Sequence, residues 1–283
     1  MKSLKELELF LAEASLKNFP GEKEAWAYVT DYLHSSLEAE ASTFFLADEI
    51  KKFLTFSFVK GPNSQELEGI SFSYTGAAGW CAVNRKAVLI KDAQNNPLFS
   101  SKVDYATRFK TKSIMVFPCF CGSALSGVAE FMNPKDRESF SDEDFSFAFS
   151  CLAYVSKLVY SLKLEITVRE LSVRADSAIN NLSGGFAGID NSEKIIFFNP
   201  KAAEILYVTD PQIGLNLDNA MLPCELKTSL RKTLREKEQI KRAEFAYESP
   251  KGVRRIGYST LNLKTVDGSI DGAGVIFQDI TGV

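Results

Sequence analysis

Histidine is almost absent from this sequence, since His34 is the only one among 283 residues. Zinc sites built from several histidines are therefore excluded, and Ser-His-Asp or Cys-His catalytic machinery could form only around that residue. His34 lies beside the apolar face of a predicted helix, which favours a structural role. The sequence also lacks the GxxxxGK[ST] loop that holds nucleotide phosphates. We therefore expect no catalytic residue, no metal site and no cofactor in this chain.

Paired cysteine spacings, long apolar runs and a strong charge imbalance are missing too. The five cysteines show no disulfide-framework spacing, so a reducing cytoplasm is the expected location. The N-terminus lacks the apolar core of a signal peptide, and no stretch reaches the roughly 18 apolar residues of a membrane-spanning helix. With 33 basic and 36 acidic residues the net charge is −3, so neither nucleic acid nor a membrane surface is an expected partner.

The composition that remains is that of a globular protein. Hydrophobic residues make up 45% of the chain and charged residues 24%, and the length suits two ordinary domains. We expect an α+β fold in which two antiparallel-sheet domains are joined by a long helix. The expected boundaries are 1–163 for the first domain, 164–182 for the connecting helix and 183–283 for the second domain.

Short elements alternate through the first half. The spacing of apolar residues predicts an N-terminal helix, a second helix over 22–37 and a short one over 75–85. Runs rich in β-formers predict strands at 41–48, 52–60, 86–92, 113–120 and 126–132.

The central segment predicts one long helix, because no strong breaker occurs between Ser141 and Leu182. Ser141 and the acidic residues after it form an expected N-terminal cap. The apolar stripe changes phase between residues 162 and 168, as it would where a helix leaves one domain for another. The first stripe and the N-terminal helix together predict the seam of a parallel homodimer. The predicted seam residues are Leu4, Leu7, Leu11, Leu152, Val155, Val159, Leu162 and Ile166.

The second half begins with two short strands, FAGID and KIIFF, after which Asn199 and Pro200 predict the cap and first residue of a helix. Several short helical pieces are expected between 223 and 237. Three strands at 239–249, 253–264 and 272–280 complete an antiparallel sheet.

Particular motifs resemble two known families. The first half resembles a GAF domain through TGAAGWCAVNRKAVLIKD and its PLF loop, SIMVFP, SGVAEFMNP and the FSDEDF that opens the long helix, over residues 20 to 160. The second half resembles a PAS domain of nitrogen-regulation sensor kinases through GGFAGIDNSEKIIFFNPKAAEIL and GVIFQDIT. Tandems of this kind are usually sensory regions, most often of histidine kinases and sometimes of σ54-type activators or diguanylate cyclases.

The resemblance implies a signal-input module that senses a small molecule or a partner. It would regulate a kinase domain and, through it, a response regulator. In the PAS family the Asp-Ile-Thr end of the last strand leads into the effector helix, so Asp279 and Thr281 are expected to transmit the signal. Two alternatives remain, a dimerisation scaffold whose pockets are filled by its own side chains and the sensory half of a σ54-dependent activator.

The resemblance also weighs against several ligands. The flavin-reactive Asn-Cys-Arg run is absent, residues 170 to 283 contain no histidine for haem, and Cys81 has no neighbouring histidine for a bilin. The sequence motifs that are found in GAF domains that bind cyclic nucleotides are altered in this chain. Cys81 and Cys119 lie where free methionine sulfoxide reductases carry cysteines, but the fused PAS half favours sensing. Cys119 and Cys121 are expected to be small buried residues.

Both families place a ligand cleft between a sheet and short helices. The candidate pocket residues are Trp80, Asp92, Phe109, Val116 and Glu130 in the first half, and Phe245, Tyr258 and Phe277 in the second.

Overall fold

A computed structural model describes residues 4–62, 64–99 and 109–282. The chain divides into two compact units, residues 1–168 and 169–283, and the division falls within the segment 164–182 that was expected to connect the domains. Each unit has its own antiparallel sheet, and one long helix continues from the first unit into the second. The expected α+β class with two sheets and a long helix is confirmed.

The first unit contains a six-stranded sheet in the order β3-β2-β1-β6-β5-β4. Its strands are β1 (Ala39–Asp48), β2 (Phe53–Lys60), β3 (Ser71–Ser73), β4 (Val88–Ile90), β5 (Ile114–Cys121) and β6 (Ala124–Pro134). Its helices are α1 (Leu4–Leu16), α2 (Glu22–Ser36), α3 (Ser64–Leu67), α4 (Gly76–Asn84) and α5 (Asp142–Asn180). The segment between the strand predicted at 52–60 and the helix predicted at 75–85 contains a helical turn, α3, and a short edge strand, β3, neither of which was predicted.

Alternation along the strands separates two cores on opposite faces of this sheet. One face packs against α1, α2 and the first half of α5, where Trp26 stacks on Phe44 with ring centroids 5.2 Å apart. The other face packs against α4, and Phe45 lies in that second core. Phe44 and Phe45, which are adjacent in β1, therefore pack into different cores.

Helix α5 begins with reciprocal hydrogen bonds between Ser141 and Asp144, which confirms the predicted cap. Asp144 also binds the Arg137 guanidinium, with Nη1 to Oδ2 at 2.6 Å. Burial opposes ionisation of Asp144, but these bonds outweigh it and lower the pKa of the carboxyl. Among the described helices α5 alone is long and apolar enough to cross a membrane, and 33% of its apolar window is buried inside the protein. A core helix meets the same criteria, so this is weak evidence for a membrane span.

The predicted dimer seam is wrong for three of its residues. Leu152, Val155 and Val159 are only 2%, 0% and 1% exposed, because they pack between α5 and the first sheet of the same chain. Leu7, Leu11 and Leu162 lie half-buried against that core, whereas Leu4 and Ile166 are exposed. Periodicity was read correctly as an apolar face, but most of that face is covered within one chain.

The second unit contains a five-stranded sheet in the order β8-β7-β11-β10-β9. Its strands are β7 (Gly185–Asp190), β8 (Ile195–Phe198), β9 (Ala243–Ser249), β10 (Gly252–Lys264) and β11 (Ile270–Asp279). Its helices are α6 (Pro200–Leu206) and α7 (Cys224–Glu236), which is one continuous helix where several short pieces were expected. Leu226 and Leu230 of α7 pack into the core over this sheet.

Asn199 is the predicted cap of α6 and is fully buried. Its Oδ1 accepts hydrogen bonds from the backbone N–H groups of Ala202 and Phe186, each at 2.8 Å. Its Nδ2 donates to the carbonyls of Ile179 and Gly184, each at 3.0 Å. One side chain therefore ties together the last turn of α5, the start of β7 and the start of α6.

Candidate functional site

A cavity of about 190 Å³ lies on the face of the first sheet opposite α1, α2 and α5. Strands β1, β2, β5 and β6 supply one wall, and α4 supplies another. Its aromatic lining consists of Phe45, Phe56, Phe72, Phe99 and Phe109, and its polar lining of Thr43, Lys60, Thr75, Thr111 and Glu130. The site is thus a largely apolar pocket with a few polar groups, which is the usual character of a small-molecule site.

Small residues at the start of α4 leave this space open. Gly76, Ala77 and Ala78 present little or no side chain to the cavity. Helix α4 also lies very close to the preceding segment, since a Cβ at Gly79 would be only 2.3 Å from the carbonyl carbon of Tyr74. The TGAAG sequence therefore allows close backbone packing while keeping the wall of the cavity shallow.

Three phenylalanines pack together on the wall formed by β1, β2 and β3. The ring centroids of Phe45 and Phe56 are 4.7 Å apart, those of Phe45 and Phe72 are 5.4 Å apart, and both pairs meet edge to face. Such contacts fix the ring positions before any ligand binds.

Glu130 lies on β6 directly opposite Thr43 of β1 and Val116 of β5. The residue is 9% exposed and lines the cavity. Within residues 4–62, 64–99 and 109–282 its carboxyl makes no hydrogen bond or ion pair, and burial alone raises its pKa from the ordinary 4.5 to about 8. An ionisable group that is buried and not paired in this way is characteristic of functional sites.

The other charged residue of the lining, Lys60, is engaged elsewhere. Its ammonium forms an ion pair with Asp31 of α2, and both side chains are partly exposed. Burial raises the pKa of Glu130, and the Lys60 ammonium forms its ion pair with Asp31 and not with that carboxyl.

Asn133 fixes the wall segment that precedes β5. It is 2% exposed and adopts a left-handed backbone conformation with φ 51°. Its Oδ1 accepts from the N–H groups of Lys112 and Ser113, and its Nδ2 donates to Glu40 and to the carbonyl of Lys110. Asn133, at the end of β6, thus holds the segment 110–113 in place.

The structure brings together only part of the predicted pocket. Phe109 and Glu130 line the cavity. Trp80 is half-buried against the neighbouring core and Val116 is buried within it, while Asp92 is exposed and accepts a hydrogen bond from Asn95. The sequence interpretation missed Thr43, Phe45, Phe56 and Phe72, although alternation in ASTFFLAD already places Thr43 and Phe45 two residues apart on one strand.

The three pocket residues predicted in the second unit pack into or against the core of that unit. Phe277 is 1% exposed and packs so closely that a Cβ at Gly185 would lie 2.5 Å from its ring. Phe245 and Tyr258 are partly buried and meet edge to face at 5.8 Å, and the Tyr258 hydroxyl lies 3.0 Å from that of Ser229.

Four of the cysteines are buried and one is exposed, as free thiols. Cys119 and Cys121 lie in the core beneath the helices, which confirms the expected burial. Burial raises the pKa of the Cys81 and Cys119 thiols far above the ordinary range and that of Cys151 to about 12. The described residues contain no cluster of three or more side chains suited to a metal ion. His34 lies with Nδ1 3.1 Å from the Ser42 hydroxyl.

The end of β11 is held to β10 by a compact set of contacts. Asp279 accepts a hydrogen bond from the Thr281 N–H at 2.9 Å and pairs with Arg254 at 3.3 Å. The Thr281 hydroxyl accepts from the Arg255 N–H at 2.7 Å. Hydrogen bonds from Thr281 lower the pKa of Asp279. The two predicted transmission residues therefore fasten the last strand to its neighbour.

Family comparisons agree with both halves. The GAF domain model matches residues 23–156, and the PAS domain model PAS_10 matches residues 178–281. The chain therefore carries a GAF domain followed by a PAS domain, in the order that the motifs indicated. Both are signal-sensing modules.

Comparison with solved structures finds similarity at low sequence identity. A chain of the E. coli DhaR(N)–DhaL complex matches with a TM-score of 0.51 and 13% identity, over 98% of this chain and 90% of that one. The GAF domain of a phosphoenolpyruvate-protein phosphotransferase from Coxiella burnetii matches at 0.49 and 16%, over 58% and 96% respectively. The free methionine-R-sulfoxide reductase of Neisseria meningitidis, in complex with its substrate, matches at 0.45 and 15%, over 56% and 89%.

Proposed function

We propose that this chain is a cytoplasmic signal-input module whose GAF cavity binds a small molecule. The observation that carries the proposal is the 190 Å³ cavity, which contains a buried carboxyl without a partner among the described residues. A cavity kept only for packing would gain nothing from a buried carboxyl, because burying an ionisable group without a partner destabilises the fold. The GAF and PAS assignments support a regulatory role in which the bound molecule controls an effector. That effector is proposed to be a histidine kinase acting on a response regulator.

We further propose that the module acts as a parallel homodimer through α5. After Tyr160 the helix is exposed on nearly all sides, and it carries an apolar stripe at spacings of three and four residues. Leu164, Val168 and Leu171 of this stripe are exposed. Leucine and valine in this pattern are typical of a coiled-coil seam. The proposed seam lies further along α5 than the buried residues Leu152, Val155 and Val159.

A scaffold function is supported for the PAS domain. The Phe277 ring fills its core, so the PAS domain is proposed to relay and to dimerise while ligand binding stays in the GAF domain. The contacts of Asp279 and Thr281 with β10 suit a relay, since they connect the end of β11 to the sheet.

Native mass spectrometry of the purified protein tests the ligand and the dimer together. A native mass that exceeds the mass of the denatured chain by a constant increment per subunit is expected if a ligand is retained. A mass near twice 31.4 kDa is expected for the dimer. A protein that stays monomeric at tens of micromolar would contradict the dimer. A variant in which a larger side chain fills the cavity, and which still controls the effector like the wild type, would contradict the sensor function.

A further inference from the structure

We infer that the GAF cavity takes a small organic amine whose ammonium group pairs with Glu130 and whose apolar body packs against the phenylalanines. This inference rests on the proposed ligand-binding function and narrows it to one chemical class. It is argued from the charge, the shape and the size of the cavity.

The charge argument starts from a missing partner. Glu130 lies at the cavity surface, is nine-tenths buried, and makes no ion pair or hydrogen bond within the described parts of the chain. A buried carboxylate is stable only when a cation or several hydrogen-bond donors face it. Lys60 also lines the cavity but is paired with Asp31 at its outer end. The positive charge is therefore left for the ligand to supply.

The same arrangement disfavours an anionic ligand. An anion would find only a neutral carboxyl at Glu130, because an added negative charge would raise the pKa of that carboxyl further, and Lys60 would have to leave Asp31 to compensate the anion. The buried Cys81 thiol also interacts with Glu130, and its raised pKa keeps it uncharged. It supplies no positive charge for an anion.

The walls suit a cation with an apolar body. The Phe45, Phe56 and Phe72 rings form one wall, and the faces of aromatic rings attract ammonium groups within about 6 Å. Thr43 lies opposite Glu130 on the neighbouring strand, and its side chain has no hydrogen bond among the described residues. Its hydroxyl oxygen can accept a second N–H from a primary ammonium.

The volume limits the size of the ligand. A cavity of about 150 Å³ is known to hold a benzene ring. The 190 Å³ found here leaves room for such a ring, or an aliphatic body of similar bulk, with a short aminomethyl group. Benzylamine and benzyl alcohol are therefore suitable probes, because they match in shape and differ in charge. Benzoate provides the opposite charge.

Isothermal titration calorimetry of the full chain at pH 7.5 tests the class. Benzylamine should bind at least about tenfold more tightly than benzyl alcohol, a difference expected for a buried charge pair. The Glu130→Gln variant should lose that preference while its affinity for benzyl alcohol changes by less than about threefold. Glu138 is exposed and belongs to the same domain, so Glu138→Gln removes a negative charge away from the cavity. This control variant should bind all three probes like the wild type.

Proton release gives a readout that does not depend on the variant folding. Titrations at pH 7 in buffers of different ionisation enthalpy should show release of up to one proton when benzylamine binds, because the carboxyl must ionise to pair with it. Equal binding of benzylamine and benzyl alcohol, tighter binding of benzoate, or no binding of any probe would each overturn the amine assignment. A retained non-amine ligand in the native mass would then leave the sensor function standing. The absence of both a retained ligand and probe binding would count against the two proposals together.

Discussion

Replacement of Asn199 by alanine should destabilise the PAS domain selectively. The side chain is fully buried and forms four hydrogen bonds to the backbone. Loss of the helix cap at Ala202 costs about 0.5–2 kcal/mol. The Phe186 N–H is buried as well, and a buried group left without a partner costs about 1–3 kcal/mol. Since losses at one side chain are not additive, we expect a decrease of about 3–4 kcal/mol in the free energy of unfolding.

The two units can be followed separately in one urea titration. Both tryptophans, Trp26 and Trp80, belong to the first unit, so tryptophan fluorescence reports GAF unfolding. Far-ultraviolet circular dichroism reports both units. The urea midpoint seen by fluorescence should be the same in Asn199→Ala as in the wild type. The part of the circular dichroism change that reports PAS unfolding should move to a lower urea concentration.

Two further variants sharpen this test. Asn199→Ser retains an oxygen that can cap α6, so it should lose less stability than Asn199→Ala. Asn191→Ala removes an exposed amide that bonds only to Asp271 among the described residues, and should stay within about 0.5 kcal/mol of the wild type. A loss below about 1 kcal/mol in Asn199→Ala, or an equal shift of the fluorescence transition, would refute the reasoning.

Three more expectations concern titration, association and output. The raised pKa of Glu130 in the folded state means that the unfolded GAF domain binds fewer protons than the folded domain between pH 4.5 and about 8. The free energy of unfolding of the GAF domain should therefore fall with rising pH in that window. The slope should reach at most about 1.4 kcal/mol per pH unit and should vanish in Glu130→Gln, as measured by urea unfolding at several pH values; an identical slope in both proteins would exclude Glu130 as its source. Leu171→Glu should weaken dimer association by at least about tenfold in sedimentation analysis, whereas Ser177→Glu, outside the apolar stripe of α5, should not; equal effects would argue against that stripe as the seam. In a protein in which this chain is joined to the proposed effector, Asp279→Ala should alter effector output while lowering the melting temperature of the PAS domain by only a few degrees, since Asp279 is partly exposed; wild-type output would contradict a relay role.

Local signals predicted most of the elements in their order, and resemblance to family motifs indicated the two domains. The Ser141–Asp144 cap, the Asn199–Pro200 helix start and the strand runs on either side depend on neighbours a few residues away. Such interactions join residues that are close in sequence, so they can be predicted without knowledge of the tertiary structure. This is why motif reading recovered the α+β class with its GAF and PAS halves.

Apolar periodicity defined the face of α5 but not what covers that face. Leu152, Val155 and Leu171 fall on similar apolar stripes, yet the first two pack against the sheet of their own chain and Leu171 is exposed. Burial within one chain and burial between two chains require the same spacing. Only the tertiary structure separates the two cases.

The cavity likewise depends on pairing between distant segments. Glu130 faces Thr43 because β6 lies beside β1, although about ninety residues separate them, and Phe45 and Phe56 meet for a similar reason. A strand sequence says which residues share a face, but sheet order decides which neighbours that face meets. The sequence therefore determined that Glu130 sits in a predicted strand within an apolar domain. The tertiary structure decided that its carboxyl lies buried beside an open space, because only the assembled sheet and α4 enclose that volume.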